Sequence, residues 1–142
     1  MQRPKISEKT KVKIRLIANN SCGYCLCRQE YVWNILEIDH IYPLAKGGKT
    51  SEENLWLICS TCNNAKYNKT EAFDSITEKT VPIFNPRTQN WNEHFSWSKN
   101  GTKIIGKTAV GRATINALHL NRERFIKIRK HWVSAGWHPP QV

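Results

Sequence analysis

The chain has 142 residues, of which 39% are hydrophobic and 10% aromatic, and this composition is typical of a folded protein rather than a disordered one. A chain of this length forms one domain, or one small domain with an appendage. Lys and Arg number 22 against 11 Asp and Glu, and the net charge of +11 predicts an anionic partner, with nucleic acid as the first candidate. A membrane partner is not expected, because the basic segments lack a strongly apolar face and no apolar run is long enough to span a bilayer.

The first half of the chain carries signals for helices, a strand and a loop. Its expected elements are a basic amphipathic helix over 8–19, a strand over 31–39, a loop over 43–48, a short turn over 52–54, an apolar run over 55–58 and a helix over 63–73. Ser7 can cap the first helix, and the β-branched and aromatic residues of the second segment favour a strand. Proline and glycine mark the loop.

The character of the sequence changes after about residue 80. Residues 95–104 alternate apolar and polar side chains around Asn100-Gly101, and this pattern is the strongest short signal for a β-hairpin. Thr108 is expected to cap a helix over 109–119. Asn121 is expected to cap a second helix that stops at Gly136. The second half is therefore predicted to be a hairpin followed by two helices.

Five cysteines lie at positions that favour metal binding over disulfides. Cys22 and Cys25 form one Cys-x-x-Cys pair, and Cys59 and Cys62 form a second. Two such pairs predict a tetrahedral zinc site, and a shell of four thiolates is structural because it leaves no open position for a substrate. Cys27 is expected to be a spare thiol. Since the count is odd and the chain start lacks an apolar signal run, we expect a cytoplasmic protein with reduced thiols.

Further motif elements lie between and around these cysteines. In chain order they are Glu37-Ile38-Asp39-His40-Ile41-x-Pro43, Gly47-Gly48, Asn54-Leu55 and Cys62-Asn63-x-x-Lys66. Together with the two cysteine pairs, they resemble the HNH endonuclease family over about residues 22–67. The resemblance implies the ββα-metal fold, in which two antiparallel strands and a helix clasp one divalent ion. The predicted fold class is therefore α+β, with a zinc-containing HNH core over 1–80 and a basic extension over 81–142 packed on it.

The residue types of this motif suit metal-dependent hydrolysis. Asp39 offers a hard, charged oxygen for Mg²⁺ or Mn²⁺. A histidine, with an unperturbed pKa of about 6.5, suits His40 to the role of general base. By the resemblance, His40 activates water, Asp39 and Asn63 hold the catalytic ion, and Asn54 braces the loop that carries the histidine. The family name expects a histidine at the position of Asn63, whose amide oxygen still suits Mg²⁺.

Other roles remain open for several of these residues. Asp39 can be a cap at a strand end, and Asn63 can be the N-cap of its helix. Asn64 is the alternative metal ligand if that helix starts one residue later. Glu37 points to the same strand face as Asp39 and is either a further metal ligand or structural.

The basic residues predict where nucleic acid binds. Residues 99–130 contain nine Lys and Arg against the single acid Glu123. A solvated helix face is the alternative explanation for such a run, but we expect contacts with the DNA backbone. The residues predicted to bind nucleic acid are Lys66, Arg112, Arg122, Lys127 and Lys130.

These observations predict a metal-dependent endonuclease that hydrolyses phosphodiester bonds in double-stranded DNA. Because one catalytic set attacks one bond, we expect it to nick one strand at a time, as a monomer or weak dimer. Backbone contacts imply low sequence specificity. The alternatives are an RNA-cleaving nuclease with the same chemistry and a catalytically silent, zinc-containing module that binds nucleic acid.

Overall fold

A computed structural model describes residues 4–140 of the chain. Within this range, helices and three two-stranded antiparallel sheets confirm the predicted α+β class. The contacts divide the chain into two compact units: the first runs to Thr70 and includes Asn85–Thr88, and the second comprises Glu71–Phe84 and continues from Gln89. The boundary expected from the sequence lies at residue 80. None of the helices in the described range is long and apolar enough to cross a membrane.

The first unit opens with helix α1, Glu8–Ile17. Its N-cap is Ser7, whose hydroxyl accepts a hydrogen bond from the Thr10 amide, as expected from the sequence. The helix ends two residues before the predicted position, because Asn19 and Asn20 both adopt positive φ angles, of 52° and 51°. Burial of Ile14 in the core anchors the helix.

Two strands and a helix form the centre of the first unit. Strand β1, Glu37–His40, pairs antiparallel with β2, Leu55–Ile58, and helix α2, Ser60–Lys66, follows directly. Leu57 and Ile58 are fully buried and hold the sheet in the core. The fold thereby brings the end of β1 next to the helix that follows β2, since α2 contacts β1.

Two predicted elements are shorter in the structure. The strand predicted over 31–39 is wrong for its first six residues, because the Gln29 side chain accepts from the Leu36 amide and donates to the Asn34 carbonyl, which holds this segment as a loop. The helix predicted over 63–73 starts earlier and ends at Lys66, since Tyr67 turns the chain with a φ of 48°.

The second unit contains the remaining elements. They are β3 (Glu71–Asp74), β4 (Lys79–Pro82), α3 (Trp91–His94), β5 (Phe95–Trp97), β6 (Ile104–Gly106), α4 (Ala109–Leu118) and α5 (Glu123–Ser134). The predicted hairpin around Asn100-Gly101 is confirmed as β5–β6, and Thr108 caps α4 as expected. The core contains Phe84 and Phe95, whose ring centroids lie 5.2 Å apart.

Asn121 has a different role from the predicted helix cap. Its side-chain oxygen accepts from the Ile104 amide at 2.8 Å, and its amide nitrogen donates to the Ile104 carbonyl at 2.8 Å. Because both polar groups are engaged with β6, Arg122 becomes the N-cap residue of α5. Asn121 therefore joins the first residue of β6 to the start of α5.

Candidate active site

The four cysteines of the predicted zinc site come together in the first unit. Their sulfur atoms all lie within 4.8 Å of one another, and all four residues are buried. Zn–S bonds of about 2.3 Å in a tetrahedron place the sulfurs about 3.8 Å apart. The Sγ atoms of Cys25 and Cys59 lie 3.8 Å apart, which fits this geometry. These residues therefore form a centre suited to a structural zinc ion.

Cys27 is buried near this cluster but lies outside the group of four. Its carbonyl accepts a hydrogen bond from the Cys22 amide at 2.9 Å, so its main chain closes the turn that carries the first cysteine pair. Hydrogen bonds with Cys22, Cys25 and Cys59, together with burial, raise the pKa of the Cys27 thiol.

The Asp-His pair lies at the end of strand β1. Asp39 and His40 are each 6% exposed, and both line a cavity of about 320 Å³. Nε2 of His40 lies 2.9 Å from Oγ1 of Thr50, in the loop between the two strands. This hydrogen bond fixes the orientation of the imidazole ring.

Asn54 braces the loop that follows His40. Its side-chain oxygen accepts from the Tyr42 amide at 2.8 Å, and its amide nitrogen donates to the carbonyls of Tyr42 and Lys49 at 2.9 and 2.8 Å. The loop also needs a glycine at position 48, because a Cβ there would collide with the Tyr42 carbonyl. The hydrogen bonds implied by the resemblance are thus present in the structure.

Asn63 lies in helix α2 and lines the same cavity as Asp39 and His40. Its side-chain nitrogen donates to Oε1 of Glu37 at 2.8 Å. This assigns the amide orientation and leaves the Asn63 oxygen as the atom that can bind a cation. Glu37 therefore orients Asn63. The carboxylate of Asp39 and this amide oxygen are hard donors around one cavity, a set that fits Mg²⁺ or Mn²⁺. Asn64 lines the same cavity.

Lys66 was predicted to contact a phosphate, but the structure buries it inside the first unit. Its side chain is fully buried, and its ammonium lies 3.1 Å from Oδ2 of Asp39 and 3.1 Å from the His40 carbonyl oxygen. A side chain without exposed surface is not placed to meet a phosphate. The sequence could not indicate this, because the two partners lie 26 and 27 residues earlier in the chain.

Two arginines of the predicted nucleic-acid surface also have partners within the second unit. Arg112 donates to both carboxylate oxygens of Asp74, at 2.8 and 3.0 Å. This pairing lowers the pKa of Asp74. Arg122 donates to the carbonyl of Leu118, the last residue of α4, and to the carbonyl of His119, the C-cap residue of this helix. Both guanidinium groups therefore stabilise the fold.

The exposed basic residues of α5 form a separate surface. Lys127 and Lys130 were predicted to bind nucleic acid, and both are exposed. Arg124, one turn before Lys127, is exposed as well. We call Arg124, Lys127 and Lys130 the α5 basic face. Lys127 lies 3.8 Å from the carboxylate of Glu123, a contact between two largely exposed side chains that contributes little.

The sheet, the helix that follows it and the convergent Asp, His and Asn side chains have the arrangement expected of a ββα-metal nuclease core. Comparison with known families agrees, since residues 22–69 match the family described as HNH endonuclease. This match confirms the resemblance seen in the motifs, and this segment of the chain is an HNH domain.

A curated relative also matches over a longer stretch. The chain is 30% identical over 115 residues to the Septu protein PtuB of Bacillus thuringiensis. The alignment covers 78% of this chain and 41% of the relative, so the chain spans about two fifths of the length of the relative it matches. No solved structure matches the chain.

Proposed function

We propose that this protein is a metal-dependent endonuclease that hydrolyses phosphodiester bonds in double-stranded DNA. The observation that carries the proposal is that Asp39, His40 and Asn63, from a strand end and a helix, line one cavity. Such a set combines a base with oxygen donors for a cation, which is what hydrolysis of a phosphodiester requires. The reduced thiols of the zinc site favour a cytoplasmic location.

His40 is the general base in this proposal. If Nε2 carries the hydrogen and donates it to Thr50, then Nδ1 is the basic nitrogen that takes a proton from the attacking water. Asn54 acts indirectly, because it holds the loop between Tyr42 and Lys49 and thereby the position of Thr50. The burial of His40 keeps the ring in one orientation.

Asp39 and Asn63 are the residues that would hold the catalytic Mg²⁺ or Mn²⁺. When bound, such an ion polarises the scissile phosphate and stabilises the leaving oxygen. Glu37 keeps the Asn63 oxygen available by accepting a hydrogen bond from its nitrogen. Cys22, Cys25, Cys59 and Cys62 would hold a structural zinc ion, which fixes the start of α2 relative to the cysteine turn.

The α5 basic face supports binding to a nucleic-acid backbone. Lysine and arginine contacts with phosphates are independent of sequence, so we expect low sequence specificity. The described residues hold one set of the proposed catalytic side chains, and a chain acting as a monomer or weak dimer would therefore nick one strand before the other.

A cleavage assay on supercoiled plasmid tests the proposal. With Mg²⁺ or Mn²⁺ the open-circular form should accumulate before linear DNA, and EDTA should stop the reaction. His40→Ala should lower the rate by about 10²–10⁴-fold, the usual contribution of a general base, while DNA affinity is retained. The matched control is exposed His119→Ala, in the second unit.

The same assay distinguishes the alternatives. Cleavage of RNA but not of plasmid would change the substrate and keep the chemistry. A folded, zinc-loaded protein that binds both nucleic acids and cuts neither would be a silent binding module. A near-normal rate for His40→Ala at neutral pH would remove His40 from the mechanism.

A further inference from the structure

Lys66 is the one lysine that the described part of the chain buries completely. Its ammonium lies 3.3 Å from Oδ1 and 3.1 Å from Oδ2 of Asp39, and 3.1 Å from the carbonyl oxygen of His40. A buried ammonium is costly unless charged and polar partners compensate it. Here all of these partners belong to the Asp-His pair of the proposed active site.

The position of Lys66 in the fold makes this contact a link between motif elements. Lys66 is the last residue of α2, three positions after Asn63 and four after Cys62. The same short helix therefore carries a predicted zinc ligand, a predicted ligand of the catalytic ion and the ammonium bonded to the end of β1. Through this ammonium, the geometry of Asp39 and of the His40 main chain is fixed relative to Asn63.

We propose that Lys66 is a positioning residue that shares the Asp39 carboxylate with the catalytic cation. This inference rests on the proposed function and assigns to Lys66 two effects of opposite sign. Its hydrogen bonds hold Asp39 and His40 in place, which supports turnover. Its positive charge repels a divalent cation on the same carboxylate, which keeps the catalytic ion loosely bound and exchangeable.

The contrast with the zinc site supports this division of roles. Four thiolates offer only negative charge to their ion, a combination typical of a permanent structural metal. The Asp39 carboxylate already has a cation next to it in the folded protein, with both oxygens within 3.3 Å of the ammonium. A divalent ion there is bound against that charge.

Two substitutions separate charge from positioning. Lys66→Met removes the charge and the donors, whereas Lys66→Arg keeps both. Lys69→Met is the matched control, because Lys69 is exposed and donates to the Ala65 carbonyl on the same helix. The assays use the zinc-loaded protein. Mn²⁺ binding is measured by electron paramagnetic resonance without nucleic acid, and cleavage is measured at saturating Mn²⁺.

We expect Lys66→Met to bind Mn²⁺ several-fold more tightly than the wild type and to cleave at least about tenfold more slowly, because positioned groups must stay close to their productive geometry. Lys66→Arg should stay near the wild type in Mn²⁺ affinity and recover most of the turnover. Lys69→Met should change neither value. Weaker Mn²⁺ binding by Lys66→Met, or unchanged turnover, would overturn the proposal.

Loss of stability in Lys66→Met is also informative. Without the ammonium, the buried Asp39 carboxylate lacks its cation, and Mn²⁺ should raise the melting temperature of this variant more than that of the wild type. If Mn²⁺ gives no such extra gain, or if the variant does not fold even with Mn²⁺, the shared carboxylate is disproved. Because binding and melting require no cleavage, these readouts remain decisive even if the wild type proves inactive.

Discussion

Among the residues that the structure describes, each of the two units buries one lysine or arginine side chain, and the two are used differently. Lys66 in the first unit is bonded to Asp39 and to the carbonyl of His40, at the edge of the candidate active site. Arg129 in the second unit, 3% exposed, donates to the carbonyls of Thr102 and Leu120. Burial of a charge therefore does not by itself mark a functional site; its partners do.

The two units also differ in what holds them together. The centre of the first unit contains the four cysteines, and its loop is fixed by side-chain hydrogen bonds such as those of Asn54. The second unit has an aromatic core in which Trp91 contacts Phe95 and Trp97, with ring centroids 5.1 and 5.3 Å apart. We therefore expect the first unit to depend on metal and the second on apolar packing.

Removing the zinc site should have the largest effect and should act on the first unit. Structural zinc sites contribute on the order of 10 kcal/mol of coupled folding free energy. Cys59→Ser should therefore abolish zinc content in elemental analysis and unfold the first unit, and limited proteolysis would show whether the second unit survives. Cys27→Ser is the control and should retain zinc. Normal melting of a zinc-free protein would show that the cysteines do not form a metal site.

Reversing the α5 basic face should weaken binding without changing the chemistry. Replacing Arg124, Lys127 and Lys130 by Glu removes up to three phosphate contacts, and each lost contact should flatten the log–log salt dependence of duplex affinity by about 0.9. The affinity should fall equally for unrelated sequences, and a fluorescence anisotropy titration over salt concentration measures it. Lys79→Glu, in exposed strand β4, is the control. An unchanged slope in the triple variant would mean that the face is only solvated.

Substitution of Thr50 should have a smaller effect, confined to the chemistry of the first unit. Thr50→Val keeps the shape of the side chain and removes the hydroxyl that contacts His40 Nε2. We expect a loss of about tenfold in turnover, comparable to the loss of one hydrogen bond in a buried site. Thr50→Ser should recover most of the rate. If Thr50→Val cleaves normally over the full pH range, Thr50 does not orient the imidazole.

Local signals in the sequence were sufficient for the elements whose determinants are close in the chain. Each of these signals depends on residues that are close neighbours in the sequence. They are the two Cys-x-x-Cys pairs, the Ser7 and Thr108 caps and the hairpin around Asn100-Gly101. The role of Asn54 was predicted only through the family resemblance, because its hydrogen-bond partners lie 5 and 12 residues away in the sequence.

The remaining site features depend on contacts that no local pattern encodes. A lysine or arginine in a basic sequence is expected at the surface, and the positions of Lys66 and Arg112 follow from carboxylates 27 and 38 residues away. Thr50 has no motif signature, because its role arises only when the loop folds back toward His40. These side-chain contacts could be predicted from the sequence only if it were already known which segments of the chain lie next to each other in the fold.

Acid should destabilise the second unit through His138, and this is the smallest of the predicted effects. His138 is buried against Trp97, with ring centroids 4.3 Å apart, and burial followed by the charge of Arg129 lowers its pKa from 6.5 to about 4. The unfolded chain therefore takes up a proton near pH 6.5 that the folded unit takes up only near pH 4. Stability is thus retained above about pH 6.5 and is lost progressively as the pH falls toward 4.

The variant His138→Gln has no proton to take up at this position, so its melting temperature, measured by tryptophan fluorescence, should fall less between pH 7 and pH 4. The exposed control His131→Gln should behave like the wild type. If the His138→Gln and wild-type melting temperatures fell in parallel between pH 7 and pH 4, a group other than His138 would control the acid sensitivity in this range.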